Sequence, residues 1–204
     1  MKTSITETVK AIVEIEWNLF DQVNNIGGRA SCQDDKTTFF IMRSSQLMAW
    51  SAEMQESYHN DLKQALRDRR NPLTEKYAYM MERTSPKEFE QIRAQLPPRT
   101  AEKDAMIDRI CTLHVKWQEE LSAQYPKLCG RGRSIRKEED TIYNTSFETY
   151  LWGELATYSE HTIRLYADYA ERLQKEGKSL GKMILENTIT QYGFSSLEAA
   201  EAKA

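Results

Sequence analysis

A glutamate at the centre of an apolar helical stripe is the first residue in this chain that demands a chemical explanation. Val9, Ile12, Val13, Glu16, Phe20 and Val23 recur at the three- and four-residue spacing of one helix face, whereas Lys10, Glu14, Asn18, Asp21 and Asn25 share the opposite face. A carboxylate buried alone costs several kcal/mol or more, so Glu16 needs an ionic partner, hydrogen bonds or a proton.

Stepping 100° per residue along the other helical segments places more polar groups within apolar arcs. Arg43 falls between Phe40 and Leu47; Glu148 and Glu154 fall beside Phe147, Leu151, Leu155 and Tyr158; His161 lies just outside that stripe. Arg43 to Glu16 is the first expected pairing, because the helices are neighbours in sequence. Two readings follow: the inward charges cross-link a bundle, or they form a site in which Glu16 or Glu154 exchanges protons. Glu154, Tyr158 and His161 on successive turns could relay a proton toward an acid or base. Glu154 and His161 are nevertheless about 10.5 Å apart along a helix axis, too far to ligate one metal together.

Two loops offer ligand-binding chemistry. Gly27-Gly28-Arg29-Ala30-Ser31-Cys32-Gln33-Asp34-Asp35 combines backbone that a ligand can approach with a cation, a thiol and acids. Cys32 would be nucleophilic if Arg29 or a helix N-terminus lowered its pKa; the alternative is a buried, inert thiol. Gly130-Arg131-Gly132-Arg133-Ser134 presents two guanidiniums and free amides suited to a carboxylate or phosphate. The plainer reading of both is a helix-capping hinge and a solvated basic loop.

Other constellations carry less. A bundle-bound metal pair needs two Glu-x-x-His motifs, and the chain has only Glu56-Ser57-Tyr58-His59, with Glu56 opposite the Met54, Tyr58 and Leu62 stripe. No metal site is expected. His114 flanks a core face, and no phosphate-binding GxxxxGK, HExxH or triad motif implies a cofactor.

The elements that must position these groups are helical throughout. The 204 residues are 40% hydrophobic and 29% charged, with eight Gly and five Pro, a balance that excludes disordered and fibrous classes and fits one all-α domain. The pattern predicts a first helix over 4–26 stopping at Gly27-Gly28, and a long second helix over 36–70 ending at Asn71-Pro72. Residues 71–99 read as a connector of short helices, with a capping box at Ser85-Pro86-Lys87-Glu88. A third long helix spans Thr100 to about Gln124, and 125–145 holds the basic loop. A fourth starts at the capping box Thr145-Ser146-Phe147-Glu148 and continues through Leu173. A helix near 179–191 and a final turn from Ser195 complete a bundle of about four long helices.

Charge and cysteine usage limit the function classes. A net charge of −3 argues against nucleic acid, despite Arg67, Arg69, Arg70, Arg131, Arg133 and Arg136. Cys32, Cys111 and Cys129 form no CxxC, no apolar run reaches about 18 residues, and no signal layout opens the chain, so a cytoplasmic location without a membrane partner is expected. No residue pattern fixes an oligomeric state.

Glu16-Trp17, Gly27 to Gln33, Gly130 to Arg133, Thr145 to Ser159, Leu185-Glu186-Asn187-Thr188 and Tyr192-Gly193-Phe194 resemble stretches of an uncharacterised bacterial domain-of-unknown-function family over nearly the whole chain. The resemblance implies an all-α fold and supplies no substrate or mechanism. Two functions are therefore expected as alternatives. The first is an enzyme acting on a small polar or anionic molecule by hydrolase- or lyase-type chemistry. Glu16, Glu154, His161 or Cys32 would be catalytic, with Trp17, Arg29, Gln33, Arg43, Arg131, Arg133, Glu148, Tyr150 and Tyr158 at the substrate and Trp152 as a further wall. The second is a non-catalytic helical regulatory or interaction module whose buried ion pairs are structural.

Overall fold

Where each helix starts and stops decides which way the polar side chains point. The computed structural model describes residues 5–24, 28–130, 132–141 and 144–204, and within them every α or strand element is a helix. The chain runs through α1 (Glu7–Asp21), α2 (Lys36–Met48), α3 (Ala52–Arg67), α4 (Pro72–Thr84), α5 (Pro86–Ile92) and α6 (Ala101–Gln124). It continues through α7 (Pro126–Cys129), α8 (Phe147–Ala156), α9 (Glu160–Lys175), α10 (Leu180–Gln191) and α11 (Leu197–Lys203). The expected all-α class is observed.

Thr6, Ser51, Asn71, Thr100, Ser146, Ser159, Ser179 and Ser196 each accept a hydrogen bond from a backbone N–H two or three residues on, satisfying donors that the first helical turn leaves open. Two of these caps correct the sequence reading, because each breaks a helix expected to be continuous. Ser51 divides the 36–70 segment into α2 and α3, and Gln55 Nε2 satisfies the carbonyls of Leu47 and Trp50 at the corner. Ser159 divides the fourth helix into α8 and α9, supported from outside by Asp61, whose Oδ2 accepts from Ser159 N at 2.9 Å and Thr162 Oγ1 at 2.6 Å. Two expected capping boxes also differ. Ser146, not Thr145, caps α8, and Ser85 makes no capping bond at the start of α5, which Pro86 initiates.

A large apolar cluster gathers Val9, Ile12, Leu47, Met54, Tyr79, Ile107, Leu155 and Ile163 from seven helices, and a smaller one joins the end of α6 to α10 and α11 through Leu121, Ile189 and Leu197. The closest approach of helix backbones that bears on the site is that of α4 and α8 at Gly153. A Cβ there would lie 2.5 Å from Met80 Cγ and 2.9 Å from the Lys76 carbonyl oxygen. The missing side chain lets α8 touch α4 and sets Tyr150 and Glu154 opposite Lys76. Among the described residues no helix is long and apolar enough to cross a membrane.

Gly153→Ala therefore opposes a helix-propensity gain of up to about 1 kcal/mol with an overpacking penalty of about 1–3 kcal/mol, since the Lys76 carbonyl cannot rotate away. Urea denaturation is expected to show a net loss of stability; an unchanged or raised midpoint would contradict the tight α4–α8 approach.

Candidate functional site

Glu16 is completely buried on α1, at 0% exposure, and its partner arrives from α2. Arg43 Nε donates to Glu16 Oε2 at 2.9 Å and Nη2 donates to Oε1, a bidentate pairing that a planar guanidinium makes and a lysine cannot. The remaining nitrogen, Nη1, reaches Glu154 Oε1 on α8 at 2.9 Å and Gln46 Oε1 at 2.7 Å. Two phenols complete the arrangement: Tyr58 on α3 donates to Glu16 Oε1 at 2.6 Å, and Tyr158 donates to Glu154 Oε1 at 2.7 Å. Gln46 Nε2 also donates to Glu154 Oε1, at 3.2 Å.

The electrostatics follow from burial and pairing. Burial alone would raise the Glu154 pKa, but Arg43, then Lys76 and the Tyr158 hydroxyl outweigh it and hold the carboxyl at about 2. Burial, reinforced by the facing carboxylates, pushes the Tyr58 and Tyr158 phenols well above their ordinary range, so both remain neutral donors.

A second cation sits on the other oxygen of Glu154. Lys76, 4% exposed on α4, places Nζ 3.8 Å from Glu154 Oε2 and donates to the Tyr150 phenol oxygen at 2.6 Å. The Lys76 charge holds the Tyr150 pKa below the ordinary 10 against the opposing effects of burial and Glu154. The neighbouring Tyr77 phenol is pushed to about 12, by burial first, with the Tyr150 and Cys32 charges adding to that rise against Lys76. Arg133 lays its guanidinium carbon 4.7 Å from the centre of the Tyr150 ring while Nη1 donates to the Thr145 carbonyl at 3.1 Å. The Cys32 hinge and the Arg133 loop, separate in sequence, thus converge on the half-buried Tyr150. An oxygen that accepts from an ammonium is stabilised as phenolate, which suits Tyr150 to take up and return a proton.

Other residues expected at the site lie elsewhere. Glu148 points to the far side of α8, accepting from Lys137 N at 3.1 Å and lying 3.7 Å from Arg83 Nη1. His161 is exposed on α9, beyond the Ser159 break, so no single helix carries it with Glu154. Arg29 is exposed and tied to Asp21 and Asp34, pinning the hinge to α1. Gln33 is buried, and its Nε2 donates to the carbonyls of Phe20 and Val23 at 2.9 Å each, closing the end of α1. Trp17 packs edge-on against Phe39 below Lys36, and Trp152 lies under Arg83 and Arg99. Cys32 is exposed, which removes the buried-thiol alternative. Arg131 and Gly27 lie outside the described residues. His114, which the sequence places beside a core face, is buried with a ring nitrogen 2.9 Å from the Tyr166 hydroxyl.

Sequence reasoning missed Gln46, Lys76 and Tyr77, and did not connect Tyr58 with Glu16. A signal for Lys76 existed: Leu73, Lys76 and Met80 share one face of α4, the same breach of an apolar stripe that singled out Glu16.

A family model described as protein of unknown function (DUF4125) matches residues 6–202. No curated protein and no solved structure matches the chain.

The depressed Glu154 pKa fixes the sign of an acid dependence. Its stabilisation is fully present above the ordinary 4.5 and is lost as pH falls toward 2. The loss is on the order of 3 kcal/mol. Urea denaturation at stepped pH is expected to show this slope in the native protein and a flatter one in Glu154→Gln. Arg43→Met, which strands two buried carboxylates, is expected to cost about 3–5 kcal/mol at pH 7 and to lose part of that deficit in acid.

Proposed function

The chain belongs to the family described as protein of unknown function (DUF4125), a description that states no activity, and from the site geometry we propose that the protein binds a small anionic molecule beside Tyr150 and acts on it by proton transfer. The observation that carries this reading is the 2.6 Å contact between Lys76 Nζ and the Tyr150 phenol oxygen, at a half-buried position where two loops meet. In this reading Tyr150 is the general base and, once protonated, the general acid of a hydrolase- or lyase-type reaction. Lys76 stabilises the phenolate. Glu154, at about 2 too weak a base to serve at neutral pH, keeps Lys76 charged, and Glu16 positions Arg43. Arg133 has no carboxylate partner within salt-bridge distance among the described residues and supplies the cation for the substrate. Cys32 is exposed on the neighbouring hinge. The three free cysteines suit a cytoplasmic location, which is part of the same proposal.

A second reading, the structural module, is favoured by one observation: Glu16 and Glu154 are balanced by Arg43 and Lys76, and both oxygens of Glu16 are hydrogen-bonded.

A thermal-shift screen of carboxylates and phosphates separates the two. A ligand at a hundred times its Kd stabilises the folded state by about 2.7 kcal/mol. The shift is expected in the native protein and in Tyr150→Phe, but not in Arg133→Gln, whose unliganded melting temperature stays unchanged. With the ligand in hand, Tyr150→Phe is expected to lose turnover about 10²–10⁴-fold. If no compound shifts the native protein and Lys76→Met alters stability alone, the structural reading holds.

A further inference from the structure

A hollow separate from Tyr150 lies between α3, the start of α6 and the corner joining α8 to α9. It measures about 260 Å³ and opens to solvent, with Leu62, Pro97 and Pro98 beside Asp61, Arg70 and Glu160 among its walls. The Tyr58 and Tyr158 rings form part of its inner surface. Lys103 enters it from α6 at 9% exposure, and its Nζ donates to the Ala156 carbonyl at 2.8 Å, at the last turn of α8.

The charged groups around this amine are spoken for. Asp61 Oδ2 receives Ser159 N and Thr162 Oγ1, and Arg70 makes a bidentate pair with Glu75. Glu160 lies on the same wall, yet no carboxylate comes within 4.0 Å of Lys103 Nζ among the described residues. Burial pulls the amine down to about 8; Arg99 and Arg70 act in the same direction, against Asp104 and Asp61. At pH 7.5 roughly a quarter of such an amine is unprotonated, against about 0.1% of an ordinary lysine. A buried amine held by one carbonyl, with no carboxylate partner among the described residues and at the wall of a solvent-open hollow, is placed to act as a nucleophile.

We propose that this cavity is a second reactive site, in which the Lys103 amine condenses with a small aldehyde or 2-oxo acid to form an imine. The nitrogen lone pair bonds to the carbonyl carbon as the C=O π pair moves to oxygen; transfer of one proton from nitrogen to oxygen gives the carbinolamine. The C–O bond then breaks with uptake of a solvent proton, water leaves, and the nitrogen pair closes the C=N bond, returning a proton to solvent as the neutral imine forms. No oxidant or reductant takes part, and the reaction uses none of the groups assigned to Tyr150 chemistry.

Reductive trapping tests it. The native protein is incubated at pH 7.5 with propanal or pyruvate and sodium cyanoborohydride, digested, and mapped by mass spectrometry. Lys103 is expected to gain the reduced adduct at an initial rate at least tenfold above the median of the other lysines, with an advantage that shrinks at pH 10 as ordinary amines deprotonate. Propanal alone trapping marks a plain aldehyde site; pyruvate trapping as well marks a 2-oxo acid site. Lys103→Arg, checked for native circular dichroism and melting temperature, is expected to lose that adduct and keep the rest. Labelling of Lys103 no faster than the other lysines, with both probes, would overturn the proposal even without any variant.

Discussion

One buried guanidinium holds the arrangement together. Arg43 uses three nitrogens to join a carboxylate on α1 to a carboxylate on α8, and the two acids draw in phenols from α3 and the α8–α9 corner. Removing charges of this kind from water costs several kcal/mol per ion, and the cost is offset only where attraction and hydrogen bonding are both close to complete. Here they are, which is why the cluster tolerates so few geometries. A helix that slid by one residue would carry its acid about 100° out of reach. The apolar clusters supply most of the burial, but dispersion contacts of side chains such as Leu47 and Ile12 are less directional than ion pairs. The ion cluster selects among them.

The exposed chemistry is downstream of this constraint. Glu154 Oε1 is occupied by Arg43, Gln46 and Tyr158, which leaves Oε2 turned toward Lys76. A lysine at 4% exposure would ordinarily shed its proton; Tyr150 and Glu154 prevent this and raise its pKa despite burial. The charge so retained acts on Tyr150 across 2.6 Å. A buried acid thereby influences a half-buried phenol through an intermediate lysine, and the close approach of backbones at Gly153 keeps the chain of contacts short.

The sequence made some of this legible. The 100° step found Glu16, Arg43 and Glu154, because an ion inside an apolar stripe breaks a regular pattern. It misjudged Glu148 for a physical reason: from Leu151 to Ala156 every residue of α8 is buried, so the helix has no single inward direction. Glu148 and Glu154, six residues apart, point to different partners. Lys76 escaped notice because the prolines at 72 and 86 made its segment read as a connector, although α4 runs for 13 residues. The breaks before Ser51 and Ser159 were hidden because serine is also an ordinary helix-surface residue. What makes Ser159 a corner includes Asp61, nearly a hundred positions away.

Tyr58 and Tyr158 have a role that neither ring nor hydroxyl shows alone. Their ring centres are 4.6 Å apart, their faces form part of the Lys103 hollow, and their hydroxyls end on Glu16 and Glu154. The pair is a party wall with polar ends on one side and an aromatic surface on the other. A rotation that enlarged the hollow would withdraw a hydrogen bond from a buried acid, and strengthening that bond would stiffen the hollow. The hollow and the buried acids therefore share two side chains, and a coupling between them, where it exists, has the same magnitude read from either side.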